Sequence, residues 1–163
     1  MDWTRVDWLG DLGELGRVAL AMALGGVVGA DREHANKPAG LRTHMLLAGA
    51  AAILTAAGID MVQTFSRVPN QGGWLRLDPI LVVQAVATAV GFIGAGTILH
   101  RDAEHVEGLT TAASLLLVAA IGVAIASGRL VLGVGGTALA IVTLRVLRMV
   151  EARIRARALK RSP

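Results

Sequence analysis

Two stretches decide the fold: PILVVQAVATAVGFIGAGTIL (residues 79–99) and GLTTAASLLLVAAIGVAIASG (residues 108–128). Each runs 21 residues without a charged side chain. About 20 apolar residues, at 1.5 Å of rise each, cross a hydrocarbon core, so both stretches predict transmembrane helices. Three shorter apolar runs lie outside them: Val18–Ala30, Met45–Ile59 and Leu130–Leu144. The first of these needs Leu12–Gly16 to reach span length, which gives a helix over 12–30 with Glu14 and Arg17 paired at i, i+3. The second predicts a helix over 39–59 opened by Pro38, whose missing N–H costs nothing at a first helical position. Pro79 opens the third span, over 79–99, in the same way. The fourth covers 108–128. The fifth begins at Leu130 and continues as a basic helix toward 157, with Arg145 and Arg148 snorkelling to the interface. The expected class is an all-α polytopic membrane protein of about five transmembrane helices. Its expected parts are an acidic external segment (1–14), the membrane domain (15–150) and a basic cytoplasmic tail (151–163).

Composition agrees. The 163 residues are 54% hydrophobic with a mean hydropathy of +0.60. The chain has no cysteine, which excludes disulfides, thiolate metal sites and cysteine nucleophiles. The acidic start, Asp2, Asp7, Asp11 and Glu14 against Arg5, lacks the basic region of a signal peptide and reads as uncleaved. Five spans put the termini on opposite sides. One side holds five Lys and Arg, and the other holds eleven, including the tail from Arg145 to Arg161. The positive-inside rule places the richer side in the cytoplasm, with the N-terminus, the segment 60–78, Trp3, Trp8 and Trp74 outside. A basic tail beside a membrane helix marks the lipid surface rather than nucleic acid. No further domain is expected after the fifth helix.

Sliding the chain by 68 positions lays GLRTHMLLAGAAAI (40–53) on GLTTAASLLLVAAI (108–121). Extended back to Gly26 against Gly94, the overlay gives nine identities in 28 positions. A duplicated helical hairpin plus a fifth helix is the reading this raises, with both charged connections at one mouth.

Between the first two spans lies GADREHANKPAGLRTH (29–44). Asp31, Arg32, Glu33, His34, Lys37, Arg42 and His44 crowd into it. Asp31 and Glu33 fall where the first helix ends, while Arg42 and His44 fall in the first turns of the second. Each placement opposes the helix dipole. Two readings stay open. One is a salt bridge from Asp31 or Glu33 to Arg42 across the hairpin. The other is a ligand site, either an anion held by Arg42, the helix-2 N–H groups and Arg32, or a cation held by the carboxylates. Thr43 belongs to the same cluster. The second mouth, 100–107 and the start of the fourth helix, follows dipole logic: His100 and Arg101 come after a helix, and Glu104 and Glu107 come before one. There Gly108, Thr110 and Thr111 open the fourth helix, with hydroxyls positioned to satisfy free N–H groups.

Other chemistry finds little support. His34, His44, His100 and His105 lack metal-binding spacing, and neither a metal nor a cofactor is expected. GFIGAG (91–96) lies within a span, so Gly91, Gly94 and Gly96 read as helix packing, like Gly25 and Gly29. No nucleophile, base and carboxylate stand in a catalytic set, so no enzyme is expected.

The block GADREHANKPAGLRTHMLLAGAAAILT resembles the signature of the MgtC/SapB family of membrane proteins. VGFIGAGTIL and VEGLTTAASL look like that family's later blocks, in order and spacing, and the resemblance covers about 15–150. Leu116 stands where the family commonly has tryptophan, and the C-terminal cytoplasmic domain carried by MgtC is expected to be absent. The resemblance implies a bacterial inner-membrane protein tied to low magnesium, virulence-type survival and control of other membrane machinery, with no catalytic residues. Its motif positions are Asp31, Arg32, Glu33, Gly40, Leu41, Arg42, Thr43, His44, Gly94, Gly96, Gly108, Thr110 and Thr111. The expected function is regulation through contacts with the bilayer and other inner-membrane proteins, as a homo-oligomer. The alternative is a small oligomeric transporter or channel for an ion or small solute.

Overall fold

The computed structural model describes residues 8–66, 78–102 and 105–159. The expected external loop 60–78 is helical as far as Ser66, where α2 ends, and its residues 67–77, like the two chain ends, lie outside the described residues. Five helices are long and apolar enough to cross a membrane. They are α1 (Trp8–His34), α2 (Leu41–Ser66), α3 (Pro79–Gly96), α4 (Leu109–Ala126) and α5 (Leu130–Leu159). Between α3 and α4, β1 (Leu99–Asp102) pairs antiparallel with β2 (His105–Glu107). That short hairpin replaces the plain loop expected over 100–107. The membrane part is all-helical.

Helix ends explain the connections. Asp78 accepts a hydrogen bond from the N–H of Ile80 at 2.9 Å, and Pro79 follows it. Both are favoured devices for opening a helix. α1 runs four residues past its expected end. It closes at Asn36, which takes φ +51°. The N–H of Lys37 donates to the carbonyl of Arg32 at 3.1 Å and that of Asn36 to the carbonyl of Glu33 at 2.9 Å. This is the Schellman pattern, with asparagine in the left-handed position usually held by glycine. Gly128 (φ +75°) closes α4 in the same way. Asp31, Arg32, Glu33 and His34 are therefore the last helical turn of α1, not a loop.

α4 is the central helix. Of its span 56% is buried, against 17% for α3 and α5. A helix apolar all round belongs inside, and α4 touches all four others. Val28 of α1, Ala48 and Ala52 of α2, and Val118, Ile121 and Ile125 of α4 form the main core. Glycines set the spacing of α1, α2 and α4. A Cβ on Gly25 would stand 2.6 Å from the carbonyl oxygen of His44, and one on Gly122 would strike the carbonyl oxygen of Ala48. In lipid, such close backbone approach is what holds helices together. Gly29 packs equally tightly on Leu41, and a Cβ on Gly94 would meet the Ala112 methyl at 3.3 Å. Gly91 and Gly96 differ from the sequence reading. Nothing lies within 4 Å of a Cβ built on either, because α3 leans on the bundle through Val86, Val90 and Gly94 and turns both glycines outward.

Candidate functional site

The chemistry gathers at one end of the bundle, where α1 finishes and α2 and α4 begin. Asp31 is buried, and two arginines of α5 grip its carboxylate. Arg145 Nε donates to Oδ1 at 3.1 Å and Arg148 Nη2 to Oδ2 at 2.7 Å. Residues three apart on a helix share a face, so α5 offers both guanidinium groups to one carboxylate. The salt bridge from Asp31 or Glu33 to Arg42 is not the arrangement adopted. Extension of α1 by a turn swings Asp31 toward α5, and Glu33 toward the start of α2. There its Oε2 accepts from the N–H of Leu41 at 2.7 Å. Glu33 thus lies against the positive end of α2, where its charge is favoured. Arg42 and Thr43 are exposed, and Arg42 makes no ion pair among the described residues.

Arg32, adjacent to Asp31, points the other way. It is 2% exposed, and its Nη2 donates to Thr111 Oγ1 of α4 at 2.8 Å. Its Nε is buried with no acceptor. Thr111 therefore serves as partner to Arg32 rather than as a cap. α4 opens on Gly108 at φ +96° with no side-chain cap, because a Cβ there would collide with the carbonyl of Thr97. Thr110, next in the chain, is exposed. Arg101 lies on β1, and its side chain lies outside the described residues.

His44 is fully buried. Its Nδ1 lies 2.8 Å from the carbonyl of Gly40, and its Nε2 lies 3.1 Å from Ser114 Oγ. A carbonyl only accepts, so Nδ1 carries a proton. Ser114 Oγ also lies 2.8 Å from the carbonyl of Thr111. Its single proton serves either that carbonyl or a bare Nε2. The result is one polar layer through four helices: Arg145 and Arg148 (α5), Asp31 and Arg32 (α1), Thr111 and Ser114 (α4), His44 (α2).

Among the described residues several cavities flank the layer, one of about 450 Å³ against Asp31, Arg145 and Arg148 and two further ones. One of about 430 Å³ is lined by Arg32, His34, Lys37, Thr110 and Arg148, with Thr143 and Leu147 behind. The other, about 620 Å³, lies outside the turn against Glu33, Lys37, Arg42 and Thr43. Among the described residues no three His, Asp or Glu side chains stand together as a metal site would need. Sequence reasoning named Asp31, Arg32, His44 and Thr111. It missed what Arg145 and Arg148 do, since a basic helix end reads as an interfacial anchor. Ser114, whose hydroxyl suits a cap or an interhelical hydrogen bond, makes the latter with His44.

Comparison with known proteins gives the family. The model of the MgtC family matches residues 18–153. The chain is 38% identical over 141 residues to YhiD of Escherichia coli, which bears a provisional name as a magnesium transporter; the match covers 85% of this chain and 62% of YhiD. A protein of Haemophilus influenzae named as uncharacterised is 34% identical over 135 residues, covering 83% of this chain and 56% of that one. SapB of Bacillus subtilis is 32% identical over 123 residues, covering 76% of this chain and 51% of SapB. The chain thus spans between half and two thirds of the length of these relatives. No solved structure matches it.

Proposed function

The chain belongs to the MgtC family, and on that premise we propose that it is a regulatory protein of the bacterial inner membrane. In this reading it adapts ion homeostasis, magnesium first, by contact with other membrane proteins. It is no enzyme. The N-terminus lies outside and the basic end of α5 in the cytoplasm, where the polar layer forms a charged mouth. The observation that carries the reading is the closed interior below that mouth. Val28, Ala48, Leu115, Val118 and Ile125 have essentially no exposure. The deeper hydroxyls, Thr55 and Thr137, turn back to carbonyls of their own helices, Ala51 and Gly133, at 2.7 and 2.9 Å. An ion crossing a single protomer would leave water with no replacement ligands on the way.

The second reading is a small oligomeric transporter. It is favoured by the name that YhiD bears and by the open glycine face of α3, which a second copy would cover. Reconstitution in liposomes holding a Mg²⁺-sensitive dye separates the two. The regulatory reading expects no flux above empty liposomes. Flux abolished by Asp31→Asn would replace it with the transporter.

A further inference from the structure

We propose that the cavity between α1, α4 and α5 is a binding site for a phosphate group, with Arg32 as its buried anchor. Independently of whether the protein regulates or transports, three observations lead here. Arg32 is buried, keeps one hydrogen bond to Thr111, and leaves Nε without an acceptor. A buried guanidinium short of partners is costly, and both carboxylates next to it in the chain are engaged elsewhere, Asp31 by Arg145 and Arg148 and Glu33 by the N–H of Leu41. Among the described residues Arg32 has no ion pair.

The walls carry the sign of the missing partner. Arg32, Lys37 and Arg148 line the cavity, and no carboxylate does. Three cations, of which Arg148 also holds Asp31, and two hydroxyls (Thr110 and Thr143) suit a multiply charged oxyanion. Guanidinium donors match phosphate oxygens in pairs, while Lys37 adds a point charge. Lys37, His34 and Thr110 are exposed, so the rim is open while the anchor is buried.

Position supplies the third observation. The cavity lies where the α1 span ends at His34 and the α4 span begins at Leu109. Basic pockets between membrane helices at the ends of their spans hold anionic head groups. A free phosphate entering from water presents the same chemistry.

The test uses the full chain, purified and delipidated in detergent. Thermal unfolding is followed with inorganic phosphate against chloride of equal ionic strength. In parallel, lipid retained after reconstitution with and without phosphatidylglycerol is counted by native mass spectrometry. The proposal expects stabilisation or retention in at least one arm: the phosphate arm assigns a soluble anion, and the lipid arm a head group. Arg32→Gln and Lys37→Ala weaken that binding about tenfold or more, the loss of one charge-assisted contact. Arg42→Ala, at the cavity outside the turn, leaves it unchanged. Lys37→Ala alters only an exposed side chain and stays folded if Arg32→Gln does not. No effect of either probe, or binding by Lys37→Ala equal to that of the unaltered chain, overturns the proposal.

Discussion

The hairpins α1–α2 and α3–α4 reach the same end of the bundle and turn there differently. The first turns in six residues, closed by Asn36 and capped by Glu33. The second spends its turn on a β-hairpin and opens α4 on a left-handed glycine. In the 68-residue overlay Thr43 falls on Thr111, yet Thr43 is exposed while Thr111 is buried against Arg32. Likewise Met45 and Leu46 fall on Ala113 and Ser114, and of these Ser114 makes a polar contact across to another helix, to His44. The first hairpin brings ionisable groups and the second brings hydroxyls to receive them. Neither mouth is complete alone. The difference is a division of labour, and α5 joins it through the pair on Asp31.

That contrast can be broken from its strongest point downward. Arg145→Ala with Arg148→Ala strands a buried carboxylate, which costs about 3–5 kcal/mol. The unfolding free energy in detergent should fall by that much, and adding Asp31→Asn should recover most of it. If the triple variant is no better than the double, the arginines stabilise α5 in some other way. Next, Thr111→Val leaves Arg32 without its acceptor, at about 1.5–3 kcal/mol. Thr43→Val at the overlaid position should stay within about 0.5 kcal/mol, as exposed substitutions do. Equal effects would erase the division of labour. Glycines sharpen it further: Gly25→Ala forces a methyl onto the His44 carbonyl and costs about 1–3 kcal/mol. Gly94→Ala meets only the Ala112 methyl at 3.3 Å and should cost less than Gly25→Ala. Smallest is Gly91→Ala, which faces open space. It should raise thermal stability slightly, by up to about 1 kcal/mol of helix propensity.

How much of this is legible beforehand follows from range. Two spans can be read because uncharged runs of 21 residues have few other solutions, and the three shorter runs, of 13 to 15 residues, become spans only with their flanking residues. Pro79 as a helix opener can be read because the device is local. The concentration of charge at 31–44 can be read too, but the pairing inside it cannot. Asp31 and Arg42 lie near each other in the chain, and proximity suggests a bond between them. The true partners are 114 and 117 residues away, and only the docking of α5 brings them in. Arg32 and Thr111 are 79 apart and equally silent. The extra turn of α1 is what misdirects the reading. It rotates Asp31 and Glu33 away from each other, and it hangs on Asn36 adopting a conformation more typical of glycine.

The central claim is that α5, not the start of α2, holds Asp31. A double-mutant cycle on unfolding free energy tests it most directly. Asp31→Asn is combined with Arg148→Ala in one cycle and with Arg42→Ala in the other. The account predicts a coupling of about 1.5–3 kcal/mol for the first pair, the range for a hydrogen bond to a charged group, and coupling within about 0.5 kcal/mol of zero for the second. Coupling to Arg42 with none to Arg148 would contradict it.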